Sequence, residues 1–393
     1  MAVRALPMAQ ALCARGHSVR IVLPPWDCPA EAGQERELGG VHVINVRLPP
    51  NIPLLRHLWL TWRLVRTAIA GGVDVVHCFK PKAYSGLAAL LIGFGQRLHL
   101  IRTRLIVDTD DWEGPGGWNE IGGYSRLQRR LFAWQERWGL THCDAVTVAS
   151  RALQTLVWAT GVPPKQVYYV PNGVVPAGQG IRRHPGASSG PSLPEDGSRE
   201  LRKRYGLDDR RVLLLYTRLF EFDVGRLLDI LEGVVQHLPA TRLLVVGQGL
   251  FGEEEGLQTA ARARGLGSHL VYAGWVEPED LPAHFALADL ALYPFDDTLI
   301  NRAKCAVKLI DLLAAGVPVV ADRVGQNAEY IEHNISGILV EPGDTMAWVE
   351  AVTHLLNEDA LRRRIGEAAQ QRVNALFSWE RLVAGVEAAY RGH

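Results

Sequence analysis

The stretch Ala288–Arg323, ADLALYPFDDTLINRAKCAVKLIDLLAAGVPVVADR, restricts the choice of fold more than any other part of the chain. Its apolar run Leu290–Pro294 reads as a buried strand ending at a proline, and Asp296–Arg302 as a polar loop. A helix is expected from about Ala303 to Ala315, stopped by Gly316 at its C′ position and by Pro318 beyond it. Val317, Val319 and Val320 then give a second buried strand. Strand, loop, helix, strand is a βαβ unit, and its loop lies at the carboxyl end of a parallel strand. Ligands of open α/β sheets bind at such ends.

On that expected helix, Lys304, Lys308 and Asp311 are spaced by four and then three residues and so share a face. Two lysines at a helix start oppose the dipole, which disfavours cations there, unless an anion is bound. Free backbone N–H groups and two ammonium charges suit a phosphate, and Asp311 one turn on suits the hydroxyls of a ribose. The competing reading is a solvated face with one Lys–Asp pair worth a few tenths of a kcal/mol.

A chain of 393 residues exceeds one ordinary core, so two domains are expected. Lysine plus arginine (42) balances aspartate plus glutamate (42), so no global charge calls for nucleic acid and any basic site is local. The five cysteines are scattered, with no C-x-x-C, which opposes a disulfide framework or a zinc site and suits a reducing cytosol. No apolar stretch reaches the ~18 residues of a membrane span, and no secretory leader is evident.

The N-terminal half alternates strands and helices, but it opens on a helix, Ala5–Arg15, followed by the strand Ser18–Leu23. A doubly wound domain begins with a strand and a Gly-rich turn. Both are therefore expected to be missing from this sequence. The helix Leu54–Ala70 carries an apolar stripe (Leu55, Leu58, Trp62, Val65, Ile69) and a basic one with an indole in it (Arg56, Trp59, Arg63, Arg66). The basic stripe, like the helix Arg126–Trp138, reads either as a solvated side or as a contact with an anionic membrane surface. The strand Leu105–Val107 runs into Asp108-Thr109-Asp110-Asp111-Trp112-Glu113-Gly114. Four carboxylates there repel one another, which favours a site over a packing role. The glycine-rich loop Gly114–Gly123 can then cover a ligand.

Between Pro176 and Ser198 the composition shifts to Gly, Pro and Ser, a linker, after which the βα rhythm restarts. The strand Arg242–Val246 runs into Gly247-Gln248-Gly249, a place for backbone to approach a nucleotide, although a lone G-x-G is weak by itself.

The segments GHSVRIV, DVVHCF, VPNGV, VVGQG, YAGWV, ADLALYP and DLLAAGVPVVA, in that order over nearly the whole chain, resemble glycosyltransferase family 4. The resemblance implies an α/β GT-B fold: two Rossmann-like doubly wound domains facing across a cleft, with a C-terminal helix crossing back to the first. The implied domains are 1–175 on the acceptor side, a linker 176–210, a nucleotide-sugar domain 211–375 and the returning helix 376–393. The implied activity is transfer of a sugar from a nucleotide-sugar to a glycan, lipid-linked or small-molecule acceptor, with retention and without metal. No cofactor is expected beyond the donor as co-substrate, and no nucleic acid. The place implied is the cytoplasm, with the inner face of a membrane as a peripheral location.

Residue by residue, the resemblance makes Asp311 the ribose-binding acid, while its usual partner position is Ala303. Arg218 matches the arginine that pairs with the diphosphate. The lysine expected a few residues later is absent, and Glu221 and Asp223 near it would repel a diphosphate. Lys308, then Lys304, are the replacements expected, with Gly247 and Gly249 completing the donor site. Asp110 falls where many members have a histidine near the sugar, and Asp111 stands beside it. With Lys308, these two are the catalytic candidates. Two alternatives remain: a metal-dependent transferase using Asp108-Thr109-Asp110 as a D-x-D, and a non-catalytic nucleotide-sugar-binding protein of the same fold.

Overall fold

Long parallel strands buried on both faces must be apolar throughout, and the chain supplies such runs in two sets. The computed structural model describes residues 3–50, 55–174 and 195–392. It divides into two compact units. One comprises Met1–Val175 with Ala303–Cys305 and Ser378–His393, the other Pro176–Arg302 with Ala306–Phe377.

In the first unit the order is α1 (Ala5–Ala14), β1 (Arg20–Leu23), β2 (Glu35–Leu38), β3 (Val41–Asn45), α2 (Leu55–Ile69), β4 (Val75–Phe79) and α3 (Ala83–Arg97). Then come β5 (Arg104–Thr109), α4 (Trp118–Ile121), α5 (Arg126–Thr141), β6 (Ala145–Val148), α6 (Arg151–Ala159) and β7 (Val167–Tyr169). The strands form two sheets, β1-β3-β2 and the all-parallel β4-β5-β6-β7. β2, the polar EREL, pairs antiparallel with β3 and went unread in the sequence because it lacks an apolar alternation. Ser125 and Gln128 close a capping box on α5, and Ser150 caps α6.

The second unit runs α7 (Glu195–Arg204), β8 (Arg211–Tyr216), α8 (Val224–His237), β9 (Thr241–Val246), α9 (Glu253–Ala263), β10 (Leu270–Gly274), α10 (Leu281–Phe285) and β11 (Leu290–Tyr293). It continues α11 (Leu299–Ala303), α12 (Val307–Ala314), β12 (Val319–Asp322), α13 (Asn327–Tyr330), β13 (Ile338–Val340), α14 (Thr345–Asn357) and α15 (Asp359–Leu376). Its sheet is parallel, in the order β10-β9-β8-β11-β12-β13. After β8 the chain winds outward to β10 and then returns to β11 on the other side of β8. The point of reversal lies between β8 and β11, where the loops leaving neighbouring strands diverge and open a crevice.

The last helix, α16 (Trp379–Arg391), belongs to the first unit, where Trp379, Val383 and Val386 pack on Met8, Leu12 and Val170. His77 joins it through Nδ1 to the Tyr390 hydroxyl at 3.0 Å. The linker expected over 176–210 is shortened at its end, since α7 already occupies Glu195–Arg204. Residues 176–194 of that expectation, residue 175 at the expected end of the first domain, and Leu54 at the expected start of α2 lie outside the described residues.

Candidate functional site

At the second unit's point of reversal, the β8 loop leaves as Thr217-Arg218-Leu219-Phe220-Glu221. Glu221 is buried, and its carboxylate accepts the Thr217 hydroxyl at 2.8 Å and the Arg218 N–H at 3.1 Å. Leu219, buried, is held at φ 68°, a conformation that side chains rarely adopt, so the turn is over-determined by its bonds. The Glu221 carboxylate is thus turned inward to build the loop. Asp223 caps α8 by accepting the Arg226 N–H at 2.8 Å. Arg218 itself is exposed.

The helix expected from Ala303 to Ala315 is two helices. α11 ends at Ala303 and α12 starts at Val307, with Lys304-Cys305-Ala306 between them. In a continuous helix the Ala306 N–H would bond the Arg302 carbonyl. Instead it donates to the Gln326 side-chain oxygen at 2.9 Å, which starts a new helix there. Lys304 consequently does not share a helix face with Lys308. It is buried and falls in the first unit, whereas Lys308 falls in the second. The far end is as expected: Gly316 takes φ 74° after the last turn.

Lys308 lies in the first turn of α12 with its Nζ 4.2 Å from the centre of the Tyr216 ring. Asp311, one turn further, has its pKa raised to about 6 by burial, with Lys308 pulling it back down. Tyr216 feels both Asp311 and Arg218, and Tyr293 feels Glu221, Asp311 and Tyr216. Arg218, Lys308 and Asp311 thus all act on Tyr216 at the carboxyl end of β8, and Asp311 acts on Tyr293 of β11 as well. Those tyrosines were missed in the sequence, because an apolar strand that ends in Tyr looks like core.

The β9 loop divides its two glycines. Gly247 has φ 125°, and a Cβ there would lie 2.0 Å from the Thr217 carbonyl oxygen, so only glycine lets the β8 and β9 loops close on each other. A Cβ at Gly249 would meet the flexible Glu253 and Glu254 carboxylates and, at 3.0 Å, the Glu253 backbone nitrogen, and the Gly249 N–H already donates to Glu254 at 3.1 Å.

In the first unit the mutual repulsion of the acidic run is answered by cations. Asp108 is fully buried, receives Arg4 through both oxygens at 2.8 and 2.6 Å, and accepts the Thr147 hydroxyl at 2.6 Å. Asp111 and Asp110 lie 2.8 and 3.4 Å from the Lys80 ammonium. Glu113 pairs with Lys82 at 2.6 Å, and its N–H donates to Glu136 at 3.0 Å. Burial raises Glu136 to about 8 and Asp110 to about 6. The loop Gly114–Gly123 contains α4 and is pinned by Trp118 N–H to the Trp112 carbonyl (2.8 Å) and Gly116 N–H to Glu120 (2.7 Å). Lys80 and Lys82 are non-local partners of this run, so no spacing rule could pair them with it. Among the described residues no group of three or more His, Cys, Asp or Glu is arranged to hold a metal ion.

Two family models match the chain: "Glycosyl transferase 4-like domain" over residues 1–173 and "Glycosyl transferases group 1" over residues 197–372. A GDP-mannose-dependent alpha-(1-6)-phosphatidylinositol monomannoside mannosyltransferase of Mycobacterium tuberculosis is 24% identical over 383 residues, which is 96% of this chain and 90% of that protein. Among solved structures, sucrose-phosphate synthase from Thermosynechococcus elongatus superposes with a TM-score of 0.68 at 20% identity, covering 98% of this chain and 91% of that one. The Anabaena protein HepE in complex with UDP and glucose superposes with a TM-score of 0.65 at 18% identity, covering 90% and 86%.

Proposed function

Because the chain belongs to glycosyltransferase family 4, with the GT-B fold and a nucleotide-sugar as donor, we propose that its donor binds on the second unit at Arg218, Lys308, Asp311 and Gly247. The observation that carries this reading is the convergence of Arg218, Lys308 and Asp311 around Tyr216 at the reversal of the sheet. Asp311 accepts hydroxyls of the ribose. Lys308, the first-turn N–H groups of α12 and Arg218 take the diphosphate, whose negative charge grows as the glycosidic bond breaks. The acceptor hydroxyl attacks on the face the leaving group vacates, giving retention, and its proton passes to the leaving phosphate oxygen. Cations of the protein neutralise that phosphate, so no divalent metal is required.

Asp108 supports this over the D-x-D reading, since both its oxygens are already taken by Arg4. On the first unit, Asp110 and Asp111 orient the acceptor, a glycan or lipid-linked molecule met at the inner face of a membrane. The relatives differ in donor, GDP-mannose in one and UDP with glucose in another, so sugar and base are left to a panel of nucleotide-sugars.

The test is steady-state sugar transfer by Lys308→Ala. Charge on the leaving phosphate is larger in the transition state than in the bound donor, so kcat should fall at least as much as KM rises. Lys304→Ala, off the helix, should change less. Normal turnover by Lys308→Ala beside a dead Lys304→Ala would overturn the placement, as would complete loss of turnover in EDTA restored by Mn²⁺.

A further inference from the structure

We infer that α2, α3 and α5 together form the face with which the protein docks on an anionic lipid bilayer. This deepens the peripheral-membrane part of the reading above and rests on it, not on the identity of the donor.

The sequence expectation placed the lipid contact on the basic stripe of α2 and named Leu55, Leu58 and Trp62 only as members of an apolar stripe. The structure shows which way that stripe faces. α2 buries Leu60, Thr61, Leu64 and Val65, while Leu55, Leu58 and Trp62 are 60%, 66% and 49% exposed. Leu55, Leu58, Trp59, Trp62 and Arg66 recur at helical spacing, so these members of the apolar and basic stripes share one outward face, while Val65 turns inward. Arg63 lies over the Trp59 ring at 4.3 Å and Arg66 over Trp62 at 5.3 Å. Leu55, Leu58, Trp59 and Trp62, with Pro49, Pro50 and Arg56, line an apolar hollow of about 540 Å³.

α3 packs on both α2 and α5, and each neighbour repeats the pattern. Phe94 and Leu98, at the end of α3, are 59% and 52% exposed, and Leu127 and Trp134 of α5 are 78% and 51% exposed. A soluble surface seldom shows so many large apolar side chains on adjacent elements without a partner. The charge says which partner. The three helices carry eight arginines and one acid, Glu136, which is buried. A second copy of the chain, docked through the same face about a two-fold axis, would set arginines against arginines. A bilayer with anionic headgroups offers hydrocarbon to the leucines, an interface to the tryptophans and negative charge to the arginines at once. The hollow beside Trp59 and Trp62 would take part of an acyl chain.

The experiment is sedimentation of the purified chain with vesicles of phosphatidylcholine alone or mixed with phosphatidylglycerol. Wild type should partition at least tenfold more onto the anionic vesicles, and less as salt is raised. Leu58→Ser/Trp62→Ser should lose at least tenfold in partition. Arg63→Gln/Arg66→Gln should lose about fivefold per arginine at low salt and little at high salt. The altered residues are largely solvent-facing on their helix, so melting temperature and binding of a nucleoside diphosphate should stay at the wild-type values. That last readout separates failure of the docking face from failure of the transferase reading. Equal binding to both vesicle types, wild-type binding by both double variants, or a dimer in solution that Trp62→Ser dissociates would overturn the proposal.

Discussion

Asp108 in the first unit and Asp322 in the second are both fully buried at the carboxyl end of a parallel strand, and each holds an arginine from the start of a helix. Asp322 accepts Arg226 through both oxygens at 3.0 and 2.8 Å, the Trp348 indole N–H at 2.9 Å and the Phe295 N–H at 2.7 Å. Their surroundings then diverge. Around Asp108 the chain adds three more carboxylates and answers them with Lys80 and Lys82. Around the second unit's reversal point the inward-facing acid Glu221 is consumed by the loop, and Arg218 and Lys308 stand where the strands end. The comparison teaches which charges hold a unit together and which stand where its sheet reverses. Arg218 and Lys308 at strand ends in the second unit suit a diphosphate, and a balanced acidic loop in the first suits sugar hydroxyls.

The largest effect should come from breaking one of the two buried pairs. Arg4→Ala leaves Asp108 charged and enclosed, and the first unit should lose about 3–5 kcal/mol, read from the urea midpoint of its transition. Arg226→Ala should cost the second unit less, because the Trp348 and Phe295 N–H groups still face Asp322. If Arg4→Ala shifts the midpoint by under about 1 kcal/mol, the Arg4–Asp108 pair is not structural, and the metal-binding reading of Asp108 regains ground.

A second test contrasts backbone with side chain in the β9 loop. Gly247→Ala puts a methyl on the Thr217 carbonyl at a left-handed position, and about 1–3 kcal/mol of strain should appear as lost stability and weakened donor binding. Gly249→Ala should do less, since its backbone is not left-handed, the Glu253 and Glu254 carboxylates can swing aside, and only the Glu253 backbone nitrogen at 3.0 Å stays in the way. Equal effects would mean that the glycines serve the ligand, not the closure of the two loops.

What was legible in the sequence follows from the range of the interactions involved. The strands β8, β9, β11 and β12 are unbroken apolar runs, and Gly316 and Ser378 mark helix ends by local chemistry, so they could be placed without a structure. Arg218 was named by the family resemblance, whereas Lys308 and Asp311 were legible as candidates because their spacing along the chain is local. The break at Lys304 was not: it depends on Gln326, twenty residues away, taking the Ala306 N–H. Nor was the role of Arg4, whose partner is 104 residues distant. The outward face of α2 was not legible for another reason. Amphipathic spacing shows that a helix has an apolar side, and only packing shows whether that side points inward.

A third prediction uses pH. Asp311 is raised from 3.8 to about 6, so between those values the folded chain holds a proton that the unfolded chain has lost. Its contribution to stability is therefore highest below about pH 4, declines as pH rises to about 6 and is level above. Accepting ribose hydroxyls needs the carboxylate, so donor affinity should rise over the same window. Titration calorimetry with a nucleoside diphosphate-sugar should find that slope in wild type and a flat profile in Asp311→Asn, with about 1–3 kcal/mol lost near neutrality. Asp110 titrates in the same range, and Asp110→Asn should keep the slope of donor affinity, because that residue stands on the other unit. A flat profile in Asp110→Asn would move the donor contact to the first unit.

The smallest effect separates two neighbours that the sequence could not tell apart. Asp111 makes a 2.8 Å hydrogen bond to the Lys80 ammonium, and Asp110 lies 3.4 Å from it with Oδ1 buried and without a hydrogen bond. Burial, the largest influence on Asp110, favours its neutral form, and the Asp111 charge adds to that. Asn is neutral at every pH, so near pH 7 Asp110→Asn should stabilise the first unit slightly, whereas Asp111→Asn should weaken it by a similar amount, each within about 1 kcal/mol. Lys80 keeps one acid partner in either variant. The effect on sugar transfer should run the other way. A carboxylate kept charged against its surroundings has a use for that charge, and Asp110→Asn should lower kcat about tenfold, at the weak end of what a positioned acid–base group contributes. Asp111→Asn, whose charge is spent on Lys80, should lower it less. Paired thermal melts and initial rates on the two variants check both signs. If Asp110→Asn is destabilising and Asp111→Asn is the slower enzyme, the acceptor-side role belongs to Asp111 and Asp110 is a buried structural acid like Asp108.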